Sequence, residues 1–258
     1  MKQWICGLMG LALLAPLVAG DAHKPSPVVV AHFGDSTCIT TYLPREQRVD
    51  RLLNERLAKQ YPGQEIVSHN LGANGDTIRR LLDSGRYQAE VKGKIPRLDM
   101  VLIRYGHNDR KKSPPEEFKK HLVELCDRLL ADYPGVKIVL ETNTYLPKTD
   151  SSAFDRCWQA IRELAKERAY PLVDNYARRK AEADAGKWDQ CIRNQKLSQE
   201  KFGKVIMDDS RDAEMKDVPG WFSDAHPNPP AVAMMADEEF KVISGLWPTA
   251  LPVATSAK

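Results

Sequence analysis

The chain carries no excess of charge of either sign: 38 Lys and Arg face 35 Asp and Glu, a net charge of +3 over 258 residues. So close a balance excludes the electrostatic footprint of a nucleic-acid-binding protein. The short basic stretches Arg110-Lys111-Lys112 and Arg178-Arg179-Lys180 accordingly read as solvated faces. No CxxC or HExxH motif occurs, and His and Asp do not cluster at metal-ligand spacing, so neither a metal site nor a cofactor is expected. Long apolar runs are also missing: the most pronounced, Leu8 to Val18, is short of the ~20 residues that span a bilayer.

That run follows Lys2 and leads into small residues at Val18-Ala19-Gly20 and Gly20-Asp21-Ala22, the layout of a secretory signal with its cleavage site. Residues 1–22 are therefore left out of the fold. The mature chain is expected to be secreted or periplasmic, with no stable membrane insertion once the signal is removed. No cysteine follows the small residues, so a lipoprotein anchor is not expected. Of five cysteines, Cys6 falls in the signal, while Cys38, Cys126, Cys157 and Cys191 remain in a compartment where disulfides persist. Four cysteines allow three pairings, and the sequence does not choose among them. Cys126 and Cys157 lie on apolar helical faces and read as buried free thiols.

The remaining ~235 residues suffice for one domain with a sizeable core, and nothing in their composition marks a second. Short apolar runs alternate with segments of helical period, which predicts about five parallel strands joined by crossover helices. The strands are read at Val28 to Phe33, Glu65 to His69, Asp99 to Tyr105, Val136 to Leu140 and Pro171 to Asp174. Helical stripes run through Val49, Leu52, Leu53 and Leu57; through Phe118, Leu122, Leu125, Cys126 and Leu129; and through Phe154, Cys157, Trp158, Ile161, Leu164 and Ala165. Pro44 and Pro114-Pro115 stand where first-turn prolines start helices, and Tyr61-Pro62-Gly63 and Tyr133-Pro134-Gly135 end two of them before the next strand. The domain is set at 23–247. Within it, the polar stretch 186–218 reads as an insertion or lid, or else as a surface excursion without functional consequence. A last helix runs from Pro229 to Ile243, and 248–258 is expected to be a disordered tail.

Four short islands carry the chemistry: Gly34-Asp35-Ser36, Asn70 to Thr77, Gly106-His107-Asn108-Asp109 and Asp224-Ala225-His226-Pro227-Asn228. Three of them follow directly on a strand, at the carboxyl end where open α/β sheets form their crevices. Ser36, in a tight turn, offers an exposed hydroxyl and a backbone N–H; a helix N-cap serine is the plainer alternative. Gly75 can bring a bare N–H close to a substrate; a plain turn that needs positive φ is the alternative. The Asn108 amide can donate to an oxyanion without adding charge, or form an Asx-turn. Removing one such donor typically costs about 2.7–4 kcal/mol of transition-state stabilisation. His226 lies in a Ser-Asp-Ala-His-Pro-Asn-Pro-Pro loop with no apolar periodicity to bury it, which suits a general base, and Asp224 is the carboxylate nearest to it in sequence. His107, inside the third island, lines the site without being its base.

These islands resemble the four blocks of the GDSL or SGNH hydrolases. The resemblance covers nearly the whole mature chain. It implies a flavodoxin-like three-layer α/β/α sandwich, Ser36 as nucleophile, Gly75 and Asn108 as oxyanion donors, and His226 as base. An α/β-hydrolase is not implied, since no GxSxG elbow occurs. The family usually places its acid three residues before the histidine, where this chain has Ser223; here the aspartate is one residue nearer, at Asp224, and Asp217 is also within loop reach. The function implied is a secreted serine esterase acting on an acyl ester, first of all an acetyl ester of a glycan, with Trp188, Trp221 and Tyr105 available to stack on sugar rings or to pack. The alternatives are a lipase or thioesterase of the same class, an acyltransferase, and a carbohydrate-binding module without turnover, the last motivated by the displaced aspartate.

Overall fold

A computed structural model of the chain describes residues 26–254, apart from 144, 146–151 and 188 and the side chains of 152–154. The expected signal, residues 1–22, lies outside the described residues, as does Trp188. Five parallel strands, β1 (Val28–Gly34), β2 (Ile66–Asn70), β3 (Met100–Arg104), β4 (Lys137–Glu141) and β5 (Leu172–Val173), form one sheet in the order β2-β1-β3-β4-β5. The helices are α1 (Ser36–Ile39), α2 (Val49–Gln60), α3 (Ile78–Asp83), α4 (Pro115–Asp132), α5 (Ser152–Glu167), α6 (Asn175–Asp184), α7 (Gln195–Phe202), α8 (Asp212–Met215) and α9 (Pro229–Leu246). This is the expected flavodoxin-like three-layer sandwich.

Alternation along the strands divides the core. Ala31, Phe33, Val101, Ile103, Ile138 and Leu140 point to one face, where Leu81, Phe118, Leu122, Trp158 and Ile161 cover them. Val28, Val30, Met100, Leu102 and Val139 point to the other, under Leu53, Leu57 and Ile243. Burial on both faces is why the strands read as continuous apolar runs instead of alternating ones. In register, Val30 of β1 faces Met100 of β3, and Gly34 faces Arg104, so the carboxyl ends of the two central strands finish together. That alignment brings the first and third islands to one rim.

Pro115 opens α4, and α2 and α4 close just before Tyr61 and Tyr133, as the proline and Tyr-Pro-Gly signals predict. Pro44 departs from expectation: it precedes a 3₁₀ turn at Arg45–Gln47, and α2 begins only at Val49. The β2 to β3 crossover consists of α3 and a π-helical turn at Tyr87–Lys92, which no stripe in the sequence announces. Gly85, at φ +77, breaks the helical period between Leu82 and Tyr87.

The polar stretch after Ala185 folds over a small core of its own. Ile206, Met215 and Trp221 are buried there, with Leu197 and Phe202 packed against them. Of the tail expected to be disordered, residues 255–258 lie outside the described residues; the part from Pro248 to Ala254 lies along the protein: Leu251 is buried beside Tyr61, its N–H donates to Gln64 Oε1 at 2.8 Å, and the Ala254 N–H donates to Asp99 Oδ1 at 2.7 Å. One apolar side chain and two backbone donors suffice to tether so short a segment. Cys38, Cys126, Cys157 and Cys191 are all free thiols, the first three buried. Among the described residues no helix is long and apolar enough to cross a membrane.

Candidate active site

The Ser36 turn is built almost entirely by its neighbours. Asp35 caps α1: its Oδ1 accepts the Thr37 N–H at 2.8 Å and the Thr37 hydroxyl at 2.7 Å. Asn143, just beyond β4, donates to the same hydroxyl at 2.6 Å and ties the turn to the sheet. Gly34 is required sterically, because a Cβ there would stand 2.5 Å from Cys38 Cβ and 2.8 Å from the Arg104 carbonyl. With α1 pressed this closely onto the strand end, Ser36 at its first position projects toward the C-terminal loop.

His226 meets it there. Its Nε2 lies 2.8 Å from Ser36 Oγ, and its Nδ1 lies 2.5 Å from Asp224 Oδ1. Asp224 Oδ1 also accepts the His226 backbone N–H at 2.9 Å. This local Asx-type turn explains how an aspartate two residues before the histidine, instead of three, reaches the ring. Burial pushes the Asp224 carboxyl up, but hydrogen bonds and charge from His226 outweigh it and hold the group below the usual carboxylate range. With Nδ1 protonated toward Asp224, Nε2 is left to accept the serine proton. Asp217 is exposed, and Ser223, at the customary acid position, donates to the Gly220 carbonyl at 2.8 Å and accepts from Asn194 at 3.0 Å. The displaced aspartate thus gives no ground for an inert binding module.

The loop of His226 is braced from far along the chain. The Ile192 N–H donates to the His226 carbonyl at 3.0 Å, and Cys191 pairs with Pro227 as an isolated bridge. Fully buried Arg179 clamps Gln190 from behind, its Nε at 3.0 Å from Oε1 and its Nη2 at 2.7 Å from the carbonyl. Tyr42 donates to the Pro227 carbonyl at 2.7 Å and turns its ring edge-on to His226, centroids 5.3 Å apart. On the other side His107 sits 6.4 Å from His226, ring to ring. Burial, reinforced by Arg110 and His226, drives the His107 pKa down to about 3, so it adds no charge against a protonated His226.

Gly75 has φ +68, lies exposed, and has nothing within 4 Å of where a Cβ would stand. Among the described residues no acceptor takes the backbone N–H of Gly75 or of Ser36. Asn108 Nδ2 donates to the Asp76 carbonyl at 3.0 Å, which uses one of its two amide hydrogens and orients the other. Beneath these groups the Asp76 carboxylate accepts from Arg86 at 2.5 Å and Tyr105 at 3.0 Å. Asp109 accepts from the N–H groups of Ile78 at 3.0 Å and Gly106 at 3.1 Å, and burial raises its pKa to about 6. Gly106, at φ +112, lets the chain pass Trp158, whose ring would lie 2.6 Å from a Cβ.

All five residues expected from sequence therefore lie on one rim, with Ser36, His226 and Asp224 in direct contact. Tyr42 and Gln195 are additions that the sequence does not announce. Gln195 Nε2 lies 3.4 Å from Asp224 Oδ2 and 3.5 Å from His226 Nδ1 across 31 residues of chain, and no local motif signals it. Trp221 is fully buried and donates to Asp212 at 2.9 Å, and Tyr105 is buried against Asp76, so both are packing residues and neither can stack on a sugar. His32, Glu141 and Glu239 bring ligand atoms within 4.8 Å of one another, as a metal site would. Arg104 already stands 3.4 Å from Glu141 and 3.3 Å from Glu239, and its guanidinium supplies the balancing charge.

The family model for GDSL-like lipases and acylhydrolases matches residues 32–231, a span that contains every residue of this rim. The chain belongs to the GDSL-like lipase/acylhydrolase family. It is a serine hydrolase acting on ester bonds. No curated protein matches the chain. Among solved structures it is similar to a GDSL-like protein from Parabacteroides merdae ATCC 43184, at 17% identity and TM-score 0.62 over 85% of this chain and 96% of that one. A member of the lipolytic G-D-S-L family from Veillonella parvula DSM 2008 aligns at 14% identity and TM-score 0.59, covering 84% and 98%. Axe2, an acetylxylan esterase from Geobacillus stearothermophilus, aligns at 17% identity and TM-score 0.57, covering 84% and 94%. At these identities the structural likenesses establish the GDSL fold and nothing finer.

Proposed function

We propose that this GDSL hydrolase is an exported esterase in which Ser36 is the nucleophile, His226 the general base and Asp224 the acid that orients it. The observation that carries the reading is the unbroken run from Ser36 Oγ through the imidazole to Asp224, at 2.8 and 2.5 Å. His226 Nε2 takes the hydroxyl proton as Oγ attacks the ester carbonyl carbon, and the carbonyl oxygen becomes an oxyanion facing the N–H groups of Ser36 and Gly75 and the Asn108 amide. Collapse breaks the bond to the alcohol oxygen, which receives the proton from His226, and the acyl group stays on Ser36. Water then loses a proton to His226 and attacks in turn, and collapse releases the acid while Oγ recovers its proton.

The substrate class supported best is an acetyl or similarly short acyl ester of a carbohydrate. Sharing a fold with an acetylxylan esterase favours it, as does the expectation of export. A cavity of about 470 Å³ that begins at Gly75 is lined by Thr77, Arg80, Lys112 and Ser113 among others, groups suited to hydroxyls more than to an acyl chain. The test joins active-site labelling with a substrate panel. A fluorophosphonate probe should label wild type and not Ser36→Ala, and Ser36→Ala should lose about 10⁴-fold or more in kcat. Acetylated glycans should be turned over faster than long-chain lipid esters, and product analysis with an acceptor glycan present should return free acid. Esterase activity surviving in Ser36→Ala would overturn the nucleophile assignment; preference for lipid esters would overturn the substrate.

A further inference from the structure

Asp224 has two carboxylate oxygens, and its short spacing from His226 consumes only one of them. Oδ1 takes both the ring and the backbone N–H of His226, at 2.5 and 2.9 Å. Oδ2 faces inward on a side chain only 11% exposed, where an unpartnered charged oxygen would be strongly destabilising. Among the described residues the group that donates to it is the Gln195 amide, at 3.4 Å, and the same nitrogen lies 3.5 Å from His226 Nδ1. We infer that Gln195 is a positioning residue of the site: it fixes the rotation of the Asp224 carboxylate, and so the orientation of His226, in place of the spacing this chain lacks.

The placement of Gln195 follows from how its helix is tied down. Gln195 is the first residue of α7, and Asn194 before it caps that helix by accepting the Leu197 N–H at 3.0 Å. Asn194 is also fastened to the turn that carries the aspartate: its N–H donates to the Trp221 carbonyl at 3.0 Å and its side chain to Ser223 Oγ at 3.0 Å. The helix therefore moves with the acid it serves. An amide suits the task because it holds the carboxylate without cancelling its charge, which a Lys or Arg in the same place would do. The polar stretch that reads in sequence as an insertion thus supplies a working part of the site.

The inference rests on Ser36 and His226 acting as proposed, and the experiment separates the two. Three variants are compared with wild type by pH profiles of kcat/KM on a short acyl ester. Gln195→Leu, close in volume, should lower kcat about tenfold with KM unchanged, and Gln195→His, which keeps a donor, should recover part of it. Gln195→Glu sets a second carboxylate next to Nδ1, stabilises the imidazolium, and should move the acid limb of kcat/KM upward by about one pH unit or more. If Ser36→Ala is inactive while the Gln195→Glu profile overlays that of wild type, or if Gln195→Leu keeps full kcat, the role of Gln195 is refuted and the nucleophile stands. Turnover by Ser36→Ala would instead refute the reaction assigned to the site. A Gln195→Leu protein that unfolds would leave Gln195→Glu, which is isosteric, to decide.

Discussion

Ser36 is positioned by Gly34, Asp35 and Thr37, its immediate neighbours, whereas the loop of His226 is fastened by a Tyr42 hydroxyl 185 residues away and by a brace at 190–195. The Ser36 turn sits at the end of a central strand, where the sheet fixes its direction and one missing Cβ lets α1 close over it. The histidine loop has no strand to follow. It leans on the segment Gln190-Cys191-Ile192, in the irregular part of the chain, which buried Arg179 of α6 clamps in place. Local geometry thus secures one partner and long-range hydrogen bonding the other. Mutations should consequently damage the proposed nucleophile by crowding and the proposed base by loss of partners.

The largest effect should come from the base side. Asp224→Asn is expected to lower kcat about 10⁴-fold by removing the charge that holds the imidazole tautomer, with KM little changed, while Asp217→Asn should leave both constants at wild-type values. Steady-state kinetics on a short acyl ester compares the two, and equal losses would mean the loop is not organised around Asp224. On the nucleophile side, Gly34→Ala should drive α1 off the strand end, lowering kcat about 10²-fold and Tm together. A Gly34→Ala enzyme of normal kcat would show that the turn tolerates crowding after all.

The smallest effect concerns the wall between the two. The folded protein holds His107 neutral, its pKa driven down to about 3 chiefly by burial, whereas in the unfolded chain the ring takes up a proton near 6.5. Protons then bind the unfolded state more readily, so this residue makes stability fall as pH falls from about 6.5 toward 3. His107→Gln should flatten part of that decline in thermal unfolding measured from pH 7 to 4.5, and an unchanged slope would mean the ring protonates without opening the fold.

Most of the architecture was legible because its signals are local. Strand runs buried on both faces, first-turn prolines and the Tyr-Pro-Gly endings of α2 and α4 each depend on a few adjacent residues. Ser36, Gly75 and Asn108 were legible for the same reason, since each follows a strand. What escaped was α3 with its π-helical turn, where Gly85 interrupts the period, and α7, whose apolar residues Leu197 and Phe202 find partners in Ile206, Met215 and Trp221, further along the chain. Trp221 and Tyr105 show the converse: an aromatic side chain has the same sequence signature whether it packs or stacks, and burial decides.

By itself the sequence determined the αβ alternation, the island residues and hence the kind of chemistry the chain carries, because residue type and near-neighbour spacing set those. Only the tertiary structure decided that Asp224, and not Asp217, meets His226, and that Gln195 stands behind it. The first depends on how the loop turns back on itself at Asp224, and the second joins segments about thirty residues apart, set by how α7, the 189–193 segment and the C-terminal loop pack together, which no spacing along the chain encodes.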